Sequence, residues 1–240
     1  MTRRRWIADE VSGDRAALTG AHADHLVRVL RAQIGQEFDI AAGALVRHGR
    51  VRSVREGRVE FELGEEIAAE TSAPITLLLA IFKFDRMEWA IEKCTELGVA
   101  RIVPVIARRT DTHLAASSGK RVERWRRIAL EGAEQSRRAS PPEIGDPVKL
   151  AEAVKVAGAL RIVLSESEEE RMLTDVMVGH AGDGILLAIG PEGGWADEEL
   201  QLFQDSGWIS ASLGRTILRA ETAAIAAVAV VASEIGRSRS

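Results

Sequence analysis

The sequence predicts two domains: a small β-barrel over residues 1–70 and an α/β domain with a mainly parallel sheet over residues 74–240. In the first 67 residues, short runs of alternating apolar and polar residues are separated by glycine turns, as half-buried strands are. From residue 75 onward, almost wholly apolar runs alternate with amphipathic segments. That rhythm is typical of parallel strands covered by helices on both faces.

The first domain is expected to hold four strands and one helix. The helix is predicted for AHADHLVRVL, because Leu26, Val29 and Leu30 fall on one face at helical spacing. The predicted strands are RRWIADEV, QEFDIAAG, ALVRHGRVRSV and EGRVEFEL. The polar segment EEIAAETSAP then indicates a linker that ends at Pro74, which puts the domain boundary near residues 70–74.

The second domain is expected to alternate five strands with four helices. The predicted strands are ITLLLAIF, RIVPVIA, RIVLSE, GILLAIG and WISASLG. The predicted helices are DRMEWAIEKCTELG, KRVERWRRIALEGAEQS, DEELQLFQDSG and ETAAIAAVAVVASEI.

Composition excludes several classes of protein. A hydrophobic content of 46% and a charged content of 28% describe an ordinary globular chain. The single cysteine, Cys94, excludes an internal disulfide framework and a CxxC metal site, and five scattered histidines are too few for a zinc cage. The N-terminus lacks the apolar core of a signal peptide, and the longest apolar run, residues 223–232, is too short to span a bilayer. We therefore expect a cytoplasmic protein without metal or membrane.

The charge is unevenly distributed. The net charge is −4, yet residues 1–60 and 101–149 each carry more Lys and Arg than Asp and Glu. Two basic regions on an acidic chain are compatible with a polyanionic partner. Arginine faces that are merely solvated would give the same pattern.

Three predicted strands end in similar small and polar segments, residues 164–166, 189–194 and 213–222. Ligands of parallel sheets bind beyond the carboxyl ends of the strands, and glycine lets the backbone approach them closely. A tight structural turn explains each segment singly, but the three together favour a ligand. No phosphate-binding loop is present, and Asp197, Glu198 and Glu199 would repel a phosphate at the next helix. A flat group such as adenine fits better, with aliphatic side chains as walls.

Four segments, in order along the chain, resemble the RsmE-type ribosomal RNA methyltransferases of the SPOUT superfamily: KFDRMEWAIEKCTELGV, EQSRR, IGPEGGW and LGRTILRAETAA. In addition, HLVRVLR at residues 25–31 is similar to the PUA-like RNA-binding domain of that family. The resemblance implies a PUA-like β-barrel followed by a SPOUT domain with a trefoil knot. It further implies S-adenosylmethionine-dependent methylation of uridine N3 in 16S ribosomal RNA, alone or in the 30S subunit, by a homodimer.

The resemblance also implies a cofactor site at the three strand ends. Its expected residues are Leu164, Ser165, Glu166, Ile189, Gly190, Pro191, Glu192, Gly193, Gly194, Leu213, Gly214, Ile217 and Leu218. Glu192 is expected either to accept backbone N–H bonds from a neighbouring loop or to face the substrate or the sulfonium.

Methylation of uridine N3 requires removal of its proton, so a site must stabilise the anion that remains. We expect Arg219 to stabilise this anion and Glu221 to act as the base or as an orienting partner. An Arg–Glu pair that only fixes the loop is the alternative. N3 lies on the Watson–Crick edge, so the target must be unpaired or flipped out. The expected RNA-binding residues are Arg3, Arg4, Arg5, Arg28, Arg31, Arg108, Arg109, Arg137 and Arg138.

Two positions depart from the family pattern. Phe84 stands where a small residue is expected after Lys83, and Ala196 replaces the Ser or Thr of a capping box with Glu199. We expect Asp197 to cap that helix instead. Two other functions stay open at this point: a SPOUT enzyme acting on transfer RNA or a ribose hydroxyl, and an RNA-binding assembly factor without catalysis.

Overall fold

The computed structural model describes residues 5–42, 45–67, 73–180 and 184–238. These residues form two compact units. The first contains the described residues up to 67 together with Ala133–Pro141, and the second contains the remainder. The sequence-based domain limits and the role of each domain stay predictions.

The first unit is built on a six-stranded sheet. Its strands are β1 (Arg5–Ile7), β2 (Glu10–Ser12), β3 (Arg15–Thr19), β4 (Glu37–Ala42), β5 (Leu45–Arg55) and β6 (Arg58–Ile67). Their order in the sheet is β1-β4-β5-β6-β3-β2. The predicted helix is present as α1 (Gly20–Asp24), continued by a π-helical turn at His25–Val29. The sequence pattern did not reveal β3.

The sheet of the first unit is curled, as the connection between β1 and β2 shows. β1 and β2 lie at opposite edges of the sheet, yet only Ala8 and Asp9 separate them along the chain. The Ala8 N–H donates to Ala41 at 2.9 Å, and the Asp9 N–H donates to Ala17 at 3.0 Å. Two successive residues therefore bond to β4 and β3, so the sheet must curve enough to bring the end of β1 next to the start of β2. The predicted small barrel is confirmed in the form of a half-barrel.

The second unit contains seven described strands and most of the helices. The strands are β7 (Ala73–Ala80), β8 (Val99–Ile106), β9 (Glu143–Ile144), β10 (Val148–Lys149), β11 (Leu160–Leu164), β12 (Ile185–Ile189) and β13 (Ile209–Ala211). The helices are α2 (Phe84–Glu96), α3 (Thr112–Ser117), α4 (Val122–Gln135), α5 (Leu150–Ala153), α6 (Leu173–Met177), α7 (Asp197–Asp205) and α8 (Ala220–Ser238). A 3₁₀ turn at Ser118–Arg121 precedes α4, whose residues from Ala133 onward belong to the first unit.

All strand pairs of the second sheet are parallel in the described chain, and the order is β10-β8-β7-β12-β11-β13, with β9 beside β8. Side chains of β7 alternate between two separate cores. Leu77 and Leu79 pack in the cluster that includes residues of α2, α4 and α8. Leu78 packs in the cluster that includes Trp195 and Phe203, whose rings lie 4.9 Å apart. The predicted mainly parallel sheet, covered on both faces, is confirmed.

Several unusual residues have structural explanations. Phe84 opens α2 with its ring 6.0 Å from that of Trp125, and the Arg121 guanidinium lies 4.7 Å from the Phe84 ring centre. Cys94 is fully buried in the core, and burial raises the pKa of its thiol to about 12. Both residues therefore serve packing.

The start of α7 differs from the expectation. Ala196 occupies the N-cap position, and the Glu199 carboxylate accepts the Ala196 N–H at 2.9 Å. Glu199 therefore supplies its half of a capping box without a hydroxyl partner, and the prediction that Asp197 caps the helix is wrong. Within the described ranges, no helix is long and apolar enough to cross a membrane. In the same ranges, no group of three or more His, Cys, Asp or Glu side chains could hold a metal ion.

Candidate active site

A cavity of about 370 Å³ lies beyond the carboxyl ends of β11, β12 and β13. The three strand ends meet because β11 pairs in parallel with β12 on one side and with β13 on the other. The segments that leave the strands supply most of the wall, at residues 165–167, 190–192, 194–195 and 212–218. The convergence that the sequence predicted from three similar turns is thus present in the structure.

Nearly all of the expected cofactor residues line this cavity. They are Leu164, Ser165, Glu166, Ile189, Gly190, Pro191, Glu192, Gly194, Leu213, Gly214, Ile217 and Leu218. Gly193 does not line it. The Gly193 carbonyl instead accepts a hydrogen bond of 2.6 Å from the guanidinium of Arg109, which does line the cavity.

Close packing explains the glycines of the turn after β12. The Gly194 N–H donates to the Pro191 carbonyl at 2.9 Å, and Gly194 has a φ of +69°, which favours glycine. A Cβ on Gly194 would lie 2.9 Å from the Glu166 Oε1 atom. A Cβ on Gly190 would lie 3.2 Å from the indole nitrogen of Trp195. A side chain at position 194 would therefore displace the Glu166 carboxylate, and one at position 190 would displace the Trp195 indole.

Trp195 joins two of the cavity loops. Its indole N–H donates to the Leu164 carbonyl at 3.2 Å, which links the end of β11 to the turn after β12. Trp195 is buried and packs in the core on that side of the sheet. The cavity wall is therefore anchored in the hydrophobic core.

The segment after β13 contributes apolar side chains that are exposed to solvent. The side chain of Ile217 is 79% exposed and that of Leu218 is 36% exposed, although both line the cavity. Large aliphatic side chains this open to solvent, at the mouth of a cavity, are typical of a surface that a ligand or a partner covers.

Glu192 is paired with a cation from another element. The Arg86 guanidinium, in the first turn of α2, donates to the Glu192 Oε1 atom at 2.8 Å. Glu192 thus has a side-chain partner, which neither of the two expected roles included, the acceptance of backbone N–H bonds or contact with the substrate or the sulfonium. The exposed fraction of the Glu192 side chain is 39%, and it lines the cavity.

The two expected catalytic residues lie at the start of α8. Arg219 takes the N-cap position, where its carbonyl accepts the Ala223 N–H at 2.8 Å, and its side chain is exposed. Glu221 is only 3% exposed, and its Oε2 atom has no hydrogen-bond partner among the described residues. The Glu221 Oε1 atom lies 3.8 Å from the Nε atom of Arg86. The cation beside Glu221 is therefore Arg86, where the sequence suggested Arg219.

Comparison with known proteins places this arrangement in a family. Residues 69–232 match the RNA methyltransferase domain family. Over 219 residues the chain is 34% identical to ribosomal RNA small subunit methyltransferase E of Synechocystis sp., covering 89% of this chain and 71% of that protein. The enzyme of the same name from Aquifex aeolicus is 30% identical over 235 residues, which cover 93% and 96% of the two chains. The chain belongs to the ribosomal RNA small subunit methyltransferase E family.

A solved structure of this methyltransferase E family agrees with the fold. The Neisseria gonorrhoeae enzyme, crystallised with S-adenosylmethionine, superposes with a TM-score of 0.84 at 28% identity, covering 96% of this chain and 97% of that one. The similarity therefore extends through both units of the chain.

The arginines expected to bind RNA in this methyltransferase E chain are spread over both units. Arg3 and Arg4 lie outside the described residues. Those of the first unit are Arg5, Arg28, Arg31, Arg137 and Arg138. The Arg5 guanidinium donates to the Arg137 carbonyl, and burial lowers the pKa of the Arg138 guanidinium. Arg108 and Arg109 are exposed in the second unit.

Some residues of the site were not predicted as such. In the sequence, Arg86 was noted only as part of the family segment KFDRMEWAIEKCTELGV, and Trp195 only as the last residue of IGPEGGW. Arg109 was expected to contact RNA but lines the cavity, as do Arg215 and Thr216. The position of Arg215 and Thr216 between Gly214 and Ile217 was a signal that could have found them. For Arg86 the sequence offered none, because its partner Glu192 is 106 residues away.

Proposed function

We propose that this protein transfers a methyl group from S-adenosylmethionine to N3 of a uridine in the 16S RNA of the small ribosomal subunit. The observation that carries the proposal is the glycine-walled cavity at three converging strand ends, in a family with a member crystallised with that cofactor. The first unit would serve as the PUA-like RNA-binding domain and the second as the SPOUT methyltransferase domain. A ribosomal substrate implies a cytoplasmic location, which is part of the proposal.

The residues of the cavity suit S-adenosylmethionine. Its wall offers backbone groups and aliphatic side chains for an adenosine. The absence of a side chain at Gly194 lets Glu166 pack closely against the backbone of the turn. Three carboxylates, those of Glu166, Glu192 and Asp197, line the cavity against the two guanidiniums of Arg109 and Arg215. The small excess of negative charge is compatible with a sulfonium cation. When bound, the cofactor would supply an electrophilic methyl group on a sulfonium centre.

The chain would contribute mainly position and charge. We assign Arg219 to the uridine, where its guanidinium would stabilise the negative charge that develops on the base when N3 loses its proton. Glu221 is buried and does not line the cavity. Its geometry therefore supports the role of an orienting partner over that of the base. The arginines expected to bind RNA would hold the phosphates on either side of an unpaired or flipped uridine.

Methylation of RNA that lacks the modification tests the proposal. Purified protein and S-adenosylmethionine with a labelled methyl group are incubated with 30S particles, protein-free 16S RNA or transfer RNA. We expect label in 30S particles or 16S RNA at one uridine, and a stop in reverse transcription there, because N3 methylation blocks Watson–Crick pairing. Label confined to transfer RNA or to a ribose would replace the proposed substrate. Cofactor binding without transfer to any of these RNAs would favour a non-catalytic assembly factor.

We further propose a homodimer that forms over an apolar groove between α2 and α8. The groove is lined by Trp89, Lys93, Glu96, Leu97, Thr222, Ile225, Ala226 and Ala229. Trp89 is 49% exposed there, and an exposed aromatic beside small apolar residues is typical of an interface. In a two-fold dimer this one surface would supply both halves of the contact.

The dimer is tested by light scattering. We expect a mass of twice the 26.0 kDa chain for the wild type, and a single-chain mass for Ala226→Glu, which would bury an unpaired charge. Gln204→Glu, on the exposed side of α7, is the matched control and should stay dimeric. A single-chain mass for the wild type at micromolar concentration would contradict the proposal.

A further inference from the structure

Arg86 connects two carboxylates that come from distant parts of the chain. Its Nη1 atom donates to the Glu192 Oε1 atom at 2.8 Å, and its Nε atom lies 3.8 Å from the Glu221 Oε1 atom. Glu192 belongs to the turn after β12, and Glu221 is the second residue of α8. One guanidinium thus contacts Glu192 of the cavity wall and Glu221, which adjoins the wall residue Ala220, without lining the cavity itself.

The parallel sheet brings these elements together. β7 and β12 are neighbours, with Leu79 paired to Ile189, so the two strands end at the same edge. β7 leads into the first turn of α2, which carries Arg86, and β12 leads into the turn that carries Glu192. The guanidinium has several N–H donors in a planar fork, so it can serve two carboxylates at once.

The burial of Glu221 makes the arginine hard to replace. The side chain is almost wholly enclosed, and its Oε2 atom has no hydrogen-bond partner among the described residues. A buried carboxylate is costly unless a cation faces it. Within 4.0 Å, the described residues provide Arg86 as the cation for both Glu192 and Glu221.

We propose that Arg86 is a positioning residue that holds the 190–194 turn against the start of α8 and thereby sets the width of the cofactor cavity. The role in binding rests on the proposed function, whereas the effect on the two loops does not. Arg86 would act through Glu192 on one wall and through Glu221 on the residues just before it, including Arg219.

Hydrogen exchange in the absence of cofactor tests the effect on the loops. Arg86→Ala is expected to speed exchange of the Gly194 and Ala223 amides, both of which are hydrogen-bonded in the intact site. Arg124→Ala is the matched control. It removes the two hydrogen bonds that Arg124 of α4 donates to Glu88, which lies on α2 together with Arg86. That variant should leave both amides unchanged. If Arg86→Ala does not fold, Glu192→Gln, which removes the more exposed partner, is expected to speed exchange at Gly194.

Calorimetric titration with S-adenosylmethionine tests the consequence for binding. We expect Arg86→Ala to raise the dissociation constant at least tenfold, and the double variant Arg86→Ala/Glu192→Gln to raise it little further, since coupled residues are not additive. Arg86→Lys should restore the affinity only in part, because an ammonium cannot present a planar fork.

The outcomes separate the two proposals. If wild-type protein binds the cofactor and methylates RNA, but Arg86→Ala matches Arg124→Ala in exchange and affinity, the positioning role is wrong and the proposed function stands. If wild-type protein does not bind S-adenosylmethionine, the proposed function fails. In that case, hydrogen exchange at Gly194 and Ala223 alone tests whether Arg86 holds the 190–194 turn against the start of α8.

Discussion

Gly194→Ala is expected to raise the dissociation constant for S-adenosylmethionine at least tenfold. At φ +69° an alanine is strained, by about 1–2 kcal/mol, and its Cβ would lie 2.9 Å from Glu166 Oε1. Both the turn and Glu166 line the cavity, so whichever of them moves alters the cofactor wall. A tenfold loss corresponds to about 1.4 kcal/mol, which lies within this strain.

Gly193→Ala is the control for that measurement. Gly193 does not share the positive φ of its neighbour, and a Cβ there would meet Arg109 Cδ at an ordinary 3.4 Å. We expect its dissociation constant, measured by the same calorimetric titration, to stay within about a factor of two of the wild type. No loss for Gly194→Ala would show that this turn does not form the cofactor wall, and equal losses for the two alanines would show that the positive φ of Gly194 is not the cause.

Arg219→Ala is expected to lower the rate of methyl transfer about 100-fold or more, the usual effect of removing one stabilising donor. Its cofactor affinity should change little, because the exposed Arg219 side chain does not line the cavity. The rate is measured in a single turnover on 30S particles at saturating cofactor, and the affinity separately by calorimetry.

Arg237→Ala provides the comparison for Arg219→Ala. Arg237 lies in the last turn of the same helix and pairs with Glu234 at 2.9 Å. This variant should transfer methyl groups at the wild-type rate. Parallel losses of rate and cofactor affinity in Arg219→Ala would assign Arg219 to the shape of the loop before α8 and remove it from the chemistry.

The cavity was predictable because parallel strands impose it. Apolar runs identified β11 and β12, and the carboxyl ends of adjacent parallel strands must meet at one edge. The small and polar segments after them, rich in glycine after β12, then indicate a ligand site. The sequence could not distinguish Gly193 from Gly194, since the sign of φ depends on how the loop is held by Arg109 and Pro191.

Contacts between distant side chains were beyond the sequence. Nothing near Arg86 in the chain indicates that it pairs with Glu192, and LRAET suggested a local partner for Glu221 that the structure replaces with Arg86. Short elements escaped for another reason. Strands of two residues, such as Glu143–Ile144, and helices of four, such as Leu150–Ala153, span only about one period of their pattern, so no repeat of apolar residues can be seen in them.

The enclosed thiol of Cys94 has a practical consequence for spectroscopy. The sequence holds one cysteine, and its surroundings keep the thiol protonated and buried. Maleimide dyes should therefore not react with it in the native protein. A cysteine engineered at an exposed site can therefore be labelled without first removing the natural one. Fluorescence from such a dye could follow RNA binding by the protein without any change to its hydrophobic core.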